Sequence, residues 1–315
     1  MTPFARLSPL LTTTAALIRL GRLRFLLAGV VLHLLGVAVA LYAGAPLDLG
    51  ALLWGQIAIT ATQVMTHYSN DYFDLEADRA NRTPTQWSGG SRVLIDGTIP
   101  PRLALSLALI FAGAALVALA VLSLAVRPGV GTFALLFTAL AGAWFYSAPP
   151  LRLHSRGIGE LTTMIVVALF TPLTGYVLHA GRVDALPILA AAPLCALQFA
   201  MLIAIEFPDA DGDRSVHKRT LVVRLGARAA IRVYVGALCA AYLMLPPLVI
   251  AGLPPGAAWA AAGLSPLALL LLWRVQRGDW RSPNRWNPFA FYTIVLLMAT
   301  AAAELFAFVL LIGMG

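Results

Sequence analysis

Charge is what this chain has least of. Only 11% of its 315 residues are Asp, Glu, Lys or Arg, 60% are hydrophobic, and the mean hydropathy is +0.84. A soluble domain carries about 25% charged residues, so a water-soluble globule is excluded. Cysteine is nearly absent: Cys195 and Cys239 are the only two. Both fall inside long apolar runs, which excludes a disulfide framework or a thiolate metal site and leaves two small buried hydrophobes. Lysine is scarcer still, because Lys218 is the only one among 22 basic residues. No small-residue cleavage site follows a short apolar run near the start, so the first long run is expected to be retained as a span.

What the chain has in abundance is apolar sequence in lengths that cross a bilayer, roughly 17–25 residues each. Spans are expected at 23–43, 50–69, 103–126, 130–147, 159–180, 187–206, 229–252, 256–274 and 288–313. The fold class is therefore all-α, a polytopic membrane bundle of about nine transmembrane helices. Residues 1–22 form an N-terminal segment, with 8–22 expected as a short interfacial helix. Residues 23–315 form a single transmembrane domain.

Basic residues set the orientation. With the N-terminus in the cytoplasm, Arg6, Arg19, Arg22 and Arg24, the arginines of 79–102, Arg152, Arg156, the basic residues of 214–232 and the arginines of 274–285 all lie inside. Only Arg127 and Arg182 are left outside, a strong positive-inside pattern. The expected location is the plasma (inner) membrane. The pI near 10.1 then reports topology and anionic membrane lipid, and no nucleic-acid partner is implied.

Two acidic clusters interrupt this apolar background. The first reads Asp71-Tyr-Phe-Asp74-Leu-Glu-Ala-Asp78-Arg79, the second Glu206-Phe-Pro-Asp209-Ala-Asp-Gly-Asp213-Arg214. In both, carboxylates fall at i, i+3 and i+7, which at roughly 100° per residue puts them on one helix face. Glu76 and Asp211 point away. Both clusters belong to long polar loops on the same side, whereas connections such as 44–50 and 252–256 are short. The repeat suggests two similar halves, with acidic motifs at 70–78 and 206–213 and the site where the halves meet.

Carboxylates packed this closely repel one another without a cation. Mg²⁺ takes oxygen ligands and commonly uses one or two carboxylates together with substrate phosphate oxygens. Asp71, Asp74 and Asp78 are the candidate ligands of one metal group and Asp209 and Asp213 of another, with Asn70 adding a neutral oxygen. Arg79, Arg82, Arg92, Lys218 and Arg219 supply donors for phosphate oxygens. A lone lysine in an arginine-rich chain suggests a place where a compact ammonium is wanted. Tyr146, at a span end, is expected to face the reacting centre, although tyrosine is also common at membrane interfaces. Glu206 is either a ligand or a group that orients Lys218 or Arg219. His67 is expected to line the cavity, and His154 and His217 to be ordinary interfacial residues. Trp144, Trp273, Trp280 and Trp286 fit an aromatic belt.

One such cluster alone reads as solvated charge at a helix end. Two of matching spacing on one side point to chemistry on a diphosphate at a membrane surface. A cation-coupled transporter is the alternative class, but its carboxylates sit near the bilayer midplane. Here only Glu304 lies well inside a span.

The string Asn70-Asp71-Tyr-Phe-Asp74-Leu-Glu-Ala-Asp78 resembles the first aspartate-rich motif of the intramembrane aromatic prenyltransferases, the UbiA superfamily, and Asp209 to Asp213 resembles the second. Tyr146-Ser-Ala-Pro-Pro-Leu-Arg152 followed by Gly157-Ile-Gly-Glu160 is similar to the stretch joining that family's fourth and fifth helices. Glu206-Phe-Pro-Asp209, Lys218-Arg219-Thr220-Leu221 and Ser88-Gly89-Gly90-Ser91-Arg92 resemble its dihydroxynaphthoate branch, of menaquinone synthesis, although His217 stands where that branch commonly has glycine. The resemblance implies Mg²⁺-dependent transfer of a polyprenyl group from its diphosphate to an aromatic acceptor, with 1,4-dihydroxy-2-naphthoate foremost. Hydroxybenzoate, chlorophyllide and glycerol phosphate remain as other acceptors. It makes Asp71, Asp74, Asp78, Asp209, Asp213 and Tyr146 the expected catalytic set.

Overall fold

Long apolar runs can satisfy their backbone in lipid only as helices, and the chain is helical almost throughout. The computed structural model describes residues 9–314. Among the described residues there is no strand. The order is α1 (Pro9–Leu20), α2 (Leu23–Tyr42), α3 (Leu49–Phe73), α4 (Leu75–Ala80), α5 (Pro101–Val126), α6 (Val130–Ser147) and α7 (Gly159–Ala180). It continues with α8 (Ala185–Glu206), α9 (Ala210–Ser215), α10 (Leu221–Leu225), α11 (Ala227–Ile250), α12 (Pro255–Gln276) and α13 (Pro283–Met314). Prolines open α5, α12 and α13, where the missing N–H costs nothing. The Asp48 carboxylate caps α3 by accepting the N–H of Ala51 at 3.0 Å. Residues 1–8 of the expected N-terminal segment, including Arg6, lie outside the described residues.

Among the described residues, eight helices are long and apolar enough to cross a membrane, namely α2, α5, α6, α7, α8, α11, α12 and α13. The expectation of about nine spans stands to within one. α3, read as the span 50–69, falls short of that apolarity despite its 25 residues. Gln56, Thr60, Thr62, Gln63, Thr66 and His67 are the reason, and several of these bond within the protein: Gln56 to His33 and Thr60, and Gln63 to the Phe25 carbonyl. α3 packs along α5, α6 and α2 and leaves Leu49, Leu53 and Ile57 on its exposed side, so its polar residues need not meet lipid.

The largest core joins α2, α7, α8, α11 and α13, and a smaller one ties α1 and α3 to α5 and the segment around Val93–Ile99. α2 and α7 approach closely because both carry glycine at the contact. A Cβ on Gly36 would lie 1.8 Å from the Pro172 carbonyl oxygen, and one on Gly175 would lie 2.4 Å from that of His33. Small residues at such crossings are what lets membrane helices pack by van der Waals contact. Trp280, placed in the interfacial belt by its position, is instead buried against Phe207.

Candidate active site

Each acidic cluster lies where a long helix gives way to a short one. Asp71 is in the last turn of α3, Asp74 stands at the junction, and Asp78 is in α4. Glu206 ends α8, Asp209 stands at the next junction, and Asp213 is in α9. Helical hydrogen bonding runs through both junctions. Asp78 N–H donates to Asp74 at 2.9 Å, and Asp213 N–H to Asp209 at 2.8 Å. The i, i+3, i+7 face therefore survives the change of helix.

The two faces meet. One cleft is lined by Asn70, Asp74 and Asp78 from the first cluster and by Glu206, Asp209 and Asp213 from the second. α4 packs on α9, where Gly212 lies so close to Asn81 that a Cβ would sit 2.9 Å from its backbone. Asn81 Nδ2 donates to Asp209 Oδ1 at 2.6 Å, and the Thr83 hydroxyl to the Pro208 carbonyl at 3.1 Å. These bonds lock the two loops together across the cleft.

Lys218 bridges the clusters. Its Nζ is 2.9 Å from Asp74 Oδ2 and 3.5 Å from Asp213 Oδ1. The chain reaches that position through His217, exposed and at φ +60°, a left-handed conformation that glycine adopts without strain. Burial opposes the charge on Lys218, but Asp74 and Asp213 outweigh it and hold the ammonium well above its ordinary pKa.

Asp74 is the most heavily bonded carboxylate. It accepts Asn70 Nδ2 at 2.9 Å, Lys218 Nζ at 2.9 Å and the Nε2 edge of His154 at 2.6 Å. His154 Nδ1 lies 2.6 Å from the Tyr146 carbonyl; a carbonyl only accepts, so Nδ1 donates there. Burial would raise Asp74, yet His154 and then Lys218 hold it well below the usual carboxylate range. Its neighbours go the other way. Burial, then Asp74 and Asp71, push Asp78 up to about 8, and burial with Asp213 pushes Asp209 up to about 7.

His154 is a correction to the sequence reading. It is buried and serves Asp74 and is no ordinary interfacial residue. The reason is topological, since a 3₁₀ turn at Leu153–Arg156 folds back over the end of α3. Arg22 was also missed as a site residue. Its guanidinium pairs with Asp71, whose other oxygen accepts the Ser91 N–H at 3.0 Å and the Ser91 hydroxyl. Standing just before a span, it read only as an inside charge. Tyr146 lines the cleft, its ring 5.1 Å from that of His154. Arg92 is half-buried and donates to the Asp78 carbonyl. Arg79, Arg82 and Arg219 are exposed and do not line the cleft. Asp211 and Glu76 point outward as expected, and Asp211 pairs with Arg214 at 3.0 Å.

Among the described residues no three acidic or histidine groups converge at metal-ligand distance. The cations Lys218 and Arg22 now neutralise the carboxylates that a metal would. The donor set nevertheless suits a hard divalent cation. Every candidate ligand is an oxygen donor, and Asp74, Asp78, Asp209 and Asp213 line one cleft.

Residues 30–297 match the UbiA prenyltransferase family. The chain is 28% identical over 224 residues to a 1,4-dihydroxy-2-naphthoate octaprenyltransferase of Mycobacterium leprae (strain TN), covering 70% of this chain and 72% of that protein. It shares its fold with a UbiA homolog from Aeropyrum pernix K1, with a TM-score of 0.66, 20% identity and coverage of 87% and 96%. A UbiA homolog from Archaeoglobus fulgidus bound to GPP and Mg²⁺ gives a TM-score of 0.60 at 17% identity, covering 92% and 99%. At these identities the two structures speak for the fold alone. With the family match running through most of the chain and eight helices able to span a bilayer, the protein is a multi-pass membrane prenyltransferase that belongs to the UbiA prenyltransferase family.

Proposed function

We propose that this prenyltransferase moves a polyprenyl group from its diphosphate to an aromatic acceptor, 1,4-dihydroxy-2-naphthoate, in a Mg²⁺-dependent reaction at the cytoplasmic face of the plasma membrane. The observation that carries the reading is that both acidic clusters line one cleft, bridged by the chain's only lysine. The acceptor rests on the name of the Mycobacterium leprae relative. The metal rests on the donor chemistry and on a structural neighbour bound to GPP and Mg²⁺.

Asp71, Asp74 and Asp78, with Asn70, would hold one Mg²⁺ group, and Asp209 and Asp213 the other. Mg²⁺ bound there supplies neutralisation of the charge that gathers on the departing diphosphate. Lys218 and Arg22, now on carboxylates, are placed to turn to the diphosphate oxygens, with Arg79, Arg82, Arg92 and Arg219 at the rim. The C–O bond breaks with its electron pair leaving on the diphosphate, and the electron-rich ring of the acceptor attacks the allylic carbon. The Tyr146 ring faces that carbon, and the enclosing helices keep water from it. Residues 23–315 act as one catalytic domain, with 1–22 as an interfacial lead-in.

The test is to incubate the purified protein with Mg²⁺, polyprenyl diphosphates of several lengths and a panel of acceptors, and to weigh the products. A prenylated, decarboxylated naphthoate is expected. Transfer to hydroxybenzoate, chlorophyllide or glycerol phosphate in its place would reassign the acceptor.

A further inference from the structure

The turn between α12 and α13 carries more positive charge than its one acid can balance. Residues 274–285 hold Arg274, Arg277, Arg281 and Arg285 against Asp279 alone, so four guanidiniums and one carboxylate leave a net formal charge of +3. Asp279 opens the 3₁₀ turn Asp279–Arg281, and its side chain is only 1% exposed. Its Oδ2 pairs with Arg274 at 2.9 Å, whereas its Oδ1 is shared by Arg285 at 3.2 Å and Arg277 at 3.8 Å. Cations held this close repel one another. One buried carboxylate therefore gathers guanidiniums that it cannot neutralise. Arg274 is turned inward, its cation 5.0 Å from the centre of the Tyr292 ring. Arg277 and Arg285 stay 47% and 40% exposed. Arg281 is exposed as well and lies over the Trp280 ring at 4.5 Å, with no carboxylate partner among the described residues.

The depth of this turn suits a lipid headgroup. α12 and α13 are both long and apolar enough to cross a membrane, so the turn that joins them emerges at a membrane surface. Trp273 is half exposed on the last turns of α12 with Arg277 over its ring at 5.2 Å, and Leu269, one turn further into the span, is exposed on the same face. Tryptophan favours the headgroup layer. A phosphodiester held by the arginines would thus have an apolar stripe beside it for its acyl chains, which a free phosphate could not use. We propose that the α12–α13 turn is a binding site for an anionic phospholipid, with Arg277, Arg281 and Arg285 on its phosphate and Trp273 and Leu269 along its chains. The Trp280 ring lies 6.0 Å from that of Phe207, between Glu206 and Asp209, so the occupied site also braces the loop of the second acidic cluster.

The test places the full chain in phosphatidylcholine vesicles that hold a minor share of phosphatidylglycerol, with bromine on the acyl chains of one lipid or the other, and reads tryptophan quenching. Brominated phosphatidylglycerol should quench the wild type more strongly. Arg277→Gln/Arg281→Gln should weaken its apparent affinity about five-fold for each charge removed. Arg228→Gln/Arg232→Gln, at the start of α11, removes equal charge from the same side of the bundle, where both arginines are exposed, and should change the preference far less. Equal losses in the two double variants would mean diffuse attraction and overturn the site, as would a wild type quenched alike by both lipids. Displacement of the lipid by inorganic phosphate would make it an anion site and overturn the lipid assignment. Phosphatidylglycerol should also raise wild-type transfer, a rise that Arg277→Gln/Arg281→Gln loses while keeping its rate in phosphatidylcholine alone; a wild-type rate indifferent to phosphatidylglycerol overturns the brace. Quenching needs no turnover, so a failed acceptor assignment leaves the lipid site standing.

Discussion

Asp74 and Asp211 show how unlike two acids of the clusters can be. Asp74 is buried and accepts from Asn70, His154 and Lys218, whereas the Asp211 side chain is 96% exposed and meets only Arg214. Asp74→Asn and Asp209→Asn are each expected to lower transfer by about 100-fold or more, the scale of losing a group that stabilises developing charge. Asp211→Asn should stay near wild type, and near wild-type turnover in either of the first two would sink the two-cluster site. Lys218→Arg is the finer probe. A planar guanidinium cannot repeat the contacts of the ammonium to Asp74 and Asp213, so the donor KM should rise or kcat fall by about 10-fold or more, the worth of a charge-assisted hydrogen bond. Acceptor KM should move less, and an unchanged Lys218→Arg enzyme would reduce the residue to one more inside charge. At this scale the aspartates were legible because three carboxylates on one helix face form a local pattern. His154 was not, because its partner Asp74 lies 80 positions away.

Between elements, the crossing of α2 and α7 depends on what glycine omits. Gly36→Ala would drive a Cβ to 1.8 Å from the Pro172 carbonyl, backbone that cannot move aside as a flexible side chain would. Overpacking of this kind costs about 1–3 kcal/mol, and the variant should lose activity at a lower temperature in detergent. Gly113→Ala in α5 meets no atom within 4 Å and serves as the control. Equal thermal inactivation of the two variants would mean that the α2–α7 contact contributes little. Most of the helices were readable from apolar length. α3 was readable as a helix, but its membrane character was not, because whether Gln56 and Gln63 face lipid or protein depends on the neighbours that cover them.

For the molecule as a whole, a shared cleft requires both acidic loops to open on one side of the membrane. Single cysteines placed in 79–102 and 214–228, on a background lacking Cys195 and Cys239, should be labelled from the cytoplasm. Those in 44–50 and 252–256 should be labelled from the other side, and acidic loops found on opposite faces would end the proposal. Chelation offers an independent check. EDTA should abolish transfer and Mg²⁺ restore it, while transfer that survives chelation would remove the metal from the reaction.

What the sequence by itself determined follows from short-range rules. Apolar runs of bilayer length must be helices, and carboxylates at i, i+3 and i+7 must share a face. What only the tertiary structure decided is which of these faces meet and which charges they meet. Lys218 falls between Asp74 and Asp213, Arg22 falls on Asp71, and His154 falls on Asp74. Exposed arginines such as Arg79 and Arg219 carry the same charge and stay outside the cleft. Buried ions are held only by partners in direct contact, and those partners come from helices distant in sequence, so no local spacing could have named them.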